Sequence, residues 1–224
     1  MPRVSEEHLE GRRRQILDAA ARCFAESGFH ATSMQDVFAA SQLSPGAVYR
    51  YFRGKHELIE AIAKEGVGPL LTVVEEAMRT DPPPAIEDVV GGMLSAVGTV
   101  AERDLRARIS VQIWAEAMRD PSLATLLRDL LIGRLLPVFA ELLAGAQARG
   151  EVDRRLDPVY AARALLSLVP GFILQRSLDS DVRTSTYEHA ARALIAGRFH
   201  LTPAAIRSPR DESRAETRSL PKSD

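Results

Sequence analysis

Apolar residues in this chain recur at three- and four-residue intervals and nowhere in strand alternation, so the pattern predicts helices throughout. Ile16, Ala19, Ala20, Cys23 and Phe24 form one buried stripe of a first helix over 12–27, with Gly28 as its stop. Thr32 is read as the cap of a second helix, with Gln35 as its capping-box partner and Met34, Val37 and Phe38 facing inward. Ser41-Gln42-Leu43 then makes a short turn into a very short third helix, for which Ser44 is an N-cap and Pro45 suits the first position. A fourth helix is expected over 57–79. Gly66, Gly68 and Pro69 fall inside it, and proline disfavours helix in the residue before it, so the pattern predicts a kink or a break there. The same residues would serve as a hinge between two modules, or simply end one helix and start another.

Asp81-Pro82-Pro83-Pro84 marks a boundary. After it, Ile86, Val89, Val90, Met93, Leu94, Val97 and Val100 leave little polar circumference, as expected of a helix at the centre of a bundle. Further helices are expected over 104–118, over 122–149 with a kink at Pro137 and Gly150 as cap, and over 157–178 through Pro170-Gly171. The last is expected over 185–198, with Glu188 as the capping partner of Ser185. The fold class is therefore all-α, with about nine helices. Residues 1–9 read as a flexible N-terminus, 10–56 as a helix-turn-helix domain with its motif at about 33–52, and 57–201 as a helical bundle. Residues 202–224, rich in Pro, Ser, Arg and Glu, read as a disordered tail.

The third helix carries the chemistry. Gly46 and Ala47 leave its first turn almost bare of side chain, so the backbone can approach another surface closely. Val48 and Phe52, four apart, anchor one face, while Tyr49, Arg50, Tyr51 and Lys55 project hydrogen-bond donors and positive charge. A bare helix start with a cationic aromatic rim suits a DNA major groove with phosphates gripped on either side. A surface turn with half-buried tyrosines is the plainer alternative.

The run from Gly28-Phe29-His30-Ala31-Thr32-Ser33, through the short helix, to Ser44-Pro45-Gly46-Ala47-Val48-Tyr49-Arg50-Tyr51-Phe52 and on to Lys55 and Leu58 resembles the DNA-binding domain of the TetR family of bacterial transcriptional regulators. The resemblance implies DNA contacts from Thr32, Ser33, Ser44, Pro45, Gly46, Ala47, Tyr49, Arg50, Tyr51 and Lys55, with Tyr49 and Lys55 on phosphates. It also implies a ligand-responsive regulator, a repressor in the leading reading, that acts as a homodimer on near-palindromic double-stranded operator DNA. An effector in the C-terminal bundle would move the fourth helix and change the separation of the two recognition helices. Two departures stand out. Ser41 and Gln42 replace the usual Ala-Gly of the turn, and a left-handed Gln42 would cost roughly 1 kcal/mol relative to glycine. Phe38 stands where a small residue is usual.

Composition narrows the function. With 46% apolar residues and no 18-residue apolar run, no membrane span is expected. Met1 to Gly11 is polar and charged, unlike a secretory signal, which points to the cytoplasm. Net charge is −1, but residues 1–55 hold eight basic against six acidic side chains, the cations gathered at Arg12-Arg13-Arg14 and between Arg50 and Lys55. The three arginines oppose the macrodipole of a helix that starts beside them, unless a phosphate compensates. The single cysteine, Cys23, reads as a small core residue. Five histidines fall at no metal-ligand spacing, and no phosphate loop or nucleophile elbow is present, so no catalytic residue, metal or cofactor is assigned.

Met93, Val97, Trp114, Met118, Phe139, Phe172 and Gln175, with Arg176 at the edge, are candidates for an effector pocket suited to a lipophilic or aromatic ligand. Ala161, Ala164, Leu165, Leu168, Gly171, Ala190, Ala193, Leu194 and Gly197 are candidates for a dimer interface, which the resemblance places on the last two helices. Packing within one chain accounts for these small residues nearly as well. The alternative to a regulator is a helical carrier of small molecules without DNA binding.

Overall fold

Helix α1 (Glu6–Ser27) starts well before the arginine cluster, with Glu6 and Glu7 in its first turn where the macrodipole favours anions. The computed structural model describes residues 6–101 and 104–197, so residues 6–9 are helical, and the expected tail at 202–224 lies outside the described residues. The earlier start also moves Arg12, Arg13 and Arg14 into the body of the helix, away from the dipole that was expected to oppose them. Gly28 ends the helix with φ +85°, a conformation that suits glycine.

Helix α2 (Met34–Ser41) is capped one residue later than expected. The Ser33 side chain accepts from the Asp36 N–H (3.2 Å) and the Asp36 carboxylate accepts from the Ser33 N–H (2.7 Å), a complete capping box. Those bonds from the Ser33 backbone and hydroxyl hold the Asp36 carboxyl below its usual range, so the cap weakens only as pH falls through that lowered value. The Thr32 hydroxyl instead donates to the carbonyls of Gly28 (2.8 Å) and Cys23 (3.0 Å). Gln42 closes α2 in the left-handed region, at φ 55° and ψ 33°. It is exposed, so Gln42→Gly is expected to raise stability by up to about 1 kcal/mol, read as a higher urea midpoint at unchanged slope. An unchanged or lower midpoint would remove the strain argument.

Helix α3 (Pro45–Tyr49) follows, capped by Ser44, and α4 (Lys55–Arg79) runs unbroken through Gly66, Gly68 and Pro69. The expected break is absent because nine residues of α4, from Leu58 to Ala77, are buried along its length and packing outweighs the proline. Then come α5 (Ile86–Ala101), α6 (Asp104–Ala117), α7 (Pro121–Arg128), α8 (Leu136–Arg149), α9 (Pro158–Leu166), α10 (Leu168–Leu178) and α11 (Thr184–Ile195). A π-helical segment, Asp129–Leu135, joins α7 to α8, and Ser167 alone separates α9 from α10, so the described residues form nine helical runs and no strand.

The π segment answers the expected kink at Pro137. The proline ring would press on the carbonyl of Gly133 in a regular α-turn, and the wider turn, with Leu136 N–H bonded to Leu131 O, relieves this one residue earlier. Pro170 likewise leaves Leu166 O without its α-helical donor, and the helix is interrupted just after it.

Two cores organise the molecule. In the first, Phe24, Val37, Val48, Phe52 and Leu58 pack with Ile109 and Ile113 of α6 and Leu123 and Leu127 of α7, so α6 and α7 are built into the base of the N-terminal unit. The second joins the C-terminal half of α4 to α5, α8 and residues of α9 to α11, around Met93, Phe139 and Phe172. Two glycines of α5 let α11 approach: a Cβ at Gly91 would overlap the Arg192 guanidinium, and one at Gly98 would overlap Thr184. Arg192 bonds Asp88 and Glu188, and Ser95 also donates to Glu188, so Glu188 ties α11 to α5 and does not cap Ser185.

The run Pro158–Leu178 is apolar enough, at mean hydropathy 1.3, to satisfy the length and composition of a membrane span, contrary to expectation. Only 17% of its most apolar stretch is covered by the rest of the chain. It is interrupted at Ser167 and carries Arg163 and Arg176.

Candidate nucleic-acid interface and ligand cavity

Val48 is fully buried and Phe52 nearly so, which anchors α3 in the N-terminal core and turns its other side outward. Ser44, Pro45 and Gly46 are exposed, Ala47 is half-exposed, and no atom lies within 4 Å of the position a Gly46 Cβ would take. Tyr49 is 49% exposed, and Phe38 meets its ring edge-on at 5.4 Å between centroids, so the unexpected Phe38 braces the tyrosine. Arg50 is exposed, and Tyr51 is half-buried against the core.

Three of the expected contacts serve the framework instead. Thr32 is 2% exposed with its hydroxyl spent on two carbonyls. The Lys55 ammonium donates to Phe29 O (2.8 Å) and His30 O (3.2 Å) and sits 4.9 Å over the Phe29 ring, pinning the start of α4 to the turn after α1. Ser33 is committed to its capping box. Of the arginine cluster, Arg12 bonds Gln15 (2.9 Å) and Arg13 pairs with Glu65 (3.3 Å), while Arg14 is exposed.

Polar ties link this unit to the body. His30 lies 3.0 Å from Glu116 of α6, and His56 lies 3.2 Å from Asp120 in the turn before α7, within 2.5 Å of Ser122 as well. The Ser122 hydroxyl is the main cause holding Asp120 below its usual range, helped by the N–H groups of Leu123 and Ser122 and by His56. That carboxylate caps α7. Cys23 is half-buried, and burial pushes its thiol up, with Asp36 and Glu26 adding to the effect, so it is a poor nucleophile.

Between the two cores lies a cavity of about 300 Å³. Its walls come from Leu17 and Ala21 of α1, Ile62 to Leu70 of α4, Val97 of α5, Ile109 to Trp114 of α6 and the π segment with Leu136, closed by Val169, Pro170 and Ile173 of α10. Of the residues expected there, Val97 and Trp114 line it. Met93, Phe139 and Phe172 fill the second core, because the innermost helix faces are the most tightly packed. Met118 and Gln175 are exposed. Arg176 is held by Val182 O at 2.7 Å, with its Nε buried and unbonded. The charged groups at the cavity are Asp18, Glu65 and Arg163. The missed wall was signalled in the sequence by Gly66 and Pro69, whose lack of bulk on α4 leaves space beside it.

On the far side, Ala164, Ala190, Leu194 and Gly197 are exposed, and Ala161, Leu165, Leu168, Gly171 and Ala193 are half-buried. Two leucines of α10 that the sequence did not single out, Leu174 (47%) and Leu178 (81%), are exposed as well, and Leu194 is 51% exposed. The small residues of α11 are only partly what its packing on α5 uses; Gly91 and Gly98 are the close-approach positions.

Residues 16–62 match the family described as bacterial regulatory proteins, tetR family, and residues 86–200 match the C-terminal domain of BetI-type transcriptional repressors. The HTH-type transcriptional regulator UidR of Escherichia coli is 29% identical over 185 residues, 83% of this chain and 91% of UidR. YfiR of Bacillus subtilis, an HTH-type transcriptional regulator, is 39% identical over 80% of this chain and 86% of its own. The structure of Salmonella enterica GusR superposes with a TM-score of 0.71 at 31% identity, over 88% of this chain and 98% of GusR. FadR of Bacillus subtilis, solved with stearoyl-CoA, shares the fold (TM-score 0.69, 19% identity, 84% and 99% covered). The bare recognition helix, the helical body and these relatives agree: the chain belongs to the TetR family and is a DNA-binding transcriptional regulator.

Proposed function

We propose that this regulator is a cytoplasmic homodimeric repressor released from its operator when a small apolar or aromatic effector enters the cavity between α1, α4 and α6. The observation that carries this reading is the position of the cavity: Leu17 and Ala21 of the DNA-binding unit share a wall with Leu70, Val97 and Val169 of the second core and with the Gly66 and Pro69 stretch of α4. A ligand there touches both cores at once. Half-sites on DNA lie about one helical turn apart, so a small change in the separation of two α3 helices costs affinity. An effector acts only through its differential affinity for the two arrangements.

Ser44, Pro45, Gly46 and Ala47 form the approach to the groove, with Tyr49, Arg50 and Tyr51 at the phosphates and Thr32, Ser33 and Lys55 shaping the turn beside them. The dimer forms through α9, α10 and α11, where the uncovered leucines lie. Because α4 is continuous, Gly66 acts as a soft point of a long lever, and Gly66→Ala has room for its Cβ. By stiffening the helix by up to about 1 kcal/mol, it is expected to change the ratio of operator affinities with and without effector while leaving folding intact.

Trp114 is the chain's only tryptophan, and it lines the cavity. Titration with decanol is therefore expected to shift its emission saturably, and Ile113→Phe, which adds bulk to the wall without a second indole, is expected to weaken that binding tenfold or more. Emission that never saturates, or is untouched by filling the cavity, would refute the cavity as the effector site.

A further inference from the structure

The charged groups at the cavity differ in how they are committed. Glu65 is paired with Arg13 at 3.3 Å, and Asp18 has a partner within the protein. Arg163 of α9 is exposed at the rim and has no hydrogen-bond or ion-pair partner among the described residues. Ser167, one turn on, has its hydroxyl committed to Arg163 O at 2.8 Å. Apart from Ser110, which has a partner within the protein, and Trp114, the rest of the wall is apolar and without rings other than proline. A ligand that fills this space thus meets two carboxylates already neutralised or engaged and one guanidinium whose five donors are unspent.

Resting on the cavity reading above, we propose that the effector is an amphipathic anion: an apolar body ending in a carboxylate or comparable acid that Arg163 binds at the rim. The planar fork of arginine suits a carboxylate in two parallel hydrogen bonds. About 300 Å³ holds roughly ten heavy atoms, at ~30 Å³ for each water-sized group. That space takes a medium-length acyl chain or a one- to two-ring aromatic body, with the acid left at the mouth, where desolvation is least costly.

The inference separates cleanly from the cavity reading when three probes of equal chain length are titrated against Trp114 emission below their micellar concentrations. Decanoate, decanol and decyltrimethylammonium differ mainly in head-group charge. Decanoate is expected to bind at least fivefold more tightly than decanol, and the cation more weakly than either. Arg163→Gln is expected to reduce decanoate to the level of decanol while leaving decanol unchanged, and Arg163→Lys to keep most of the preference. Equal binding of decanoate and decanol, or tighter binding of the cation, overturns the anion assignment and leaves the cavity reading standing. Binding of none of the three removes the cavity reading and this inference with it.

Discussion

Gly46→Glu is expected to abolish operator binding while leaving the fold intact. Beyond its chain neighbours and its own helix backbone, nothing lies within 4 Å of a Gly46 Cβ, so a longer side chain starts in open space. Gly46 is exposed in the first turn of α3, the part of a recognition helix that approaches base edges. A glutamate there separates the helix from the groove and places a negative charge in a field of phosphates, which reverses the electrostatic term that dominates DNA affinity. The loss expected is at least a hundredfold, about 2.7 kcal/mol, for selected and random duplexes alike. Gly46→Ala, with the same empty space but little bulk, is expected to lose far less. Anisotropy titrations at two salt concentrations, beside circular dichroism melting, read both quantities. Unimpaired DNA binding by a folded Gly46→Glu protein would place the interface elsewhere.

Leu174→Arg and Leu194→Arg are expected to convert the homodimer proposed above to monomer. Each leucine is about half exposed in the single chain, so arginine is tolerated by the isolated fold. In a two-fold interface each change occurs twice and leaves an unpaired charge in an apolar contact, a cost usually of several kcal/mol. Sedimentation is expected to show monomers at micromolar concentration with helix content preserved, and operator affinity falls because one α3 helix grips only one half-site. A dimer unaffected by both changes would mean that the uncovered α9 to α11 face serves another partner.

The N-terminal unit was legible because its signals are local. Ser44 before Pro45, Gly28 at a left-handed stop, and Val48 and Phe52 four apart each decide a few residues of backbone, and the structure has all three. Even the strained position was visible: Gln42 stands in the left-handed turn that its place in the motif demanded. Misplacement by one residue at the α2 cap followed from choosing between Thr32 and Ser33, two adjacent capping residues whose third-neighbour partners, Gln35 and Asp36, are both plausible. The cavity was harder because it depends on which helix faces meet, a long-range matter that periodicity does not encode. Bulky candidates such as Met93, Phe139 and Phe172 proved to be core. The space lies beside Gly66 and Pro69, where side chains are absent or small. Arg176, the charge expected at the edge, is held by Val182 O, while Arg163 lies among the cavity residues.

Filling the cavity and gripping DNA are, on the function proposed above, coupled through α1, α4 and α6. Coupling between two binding sites is reciprocal, so the most direct test measures both directions on one protein. A duplex selected from a random pool by the wild-type dimer is titrated with and without a saturating cavity ligand identified by Trp114 emission, and the ligand is then titrated with and without saturating duplex. The ligand is expected to weaken DNA binding by about five- to 150-fold, the span of typical allosteric coupling, and DNA to weaken the ligand by the same factor. A ligand that saturates the cavity and leaves DNA affinity unchanged would contradict it.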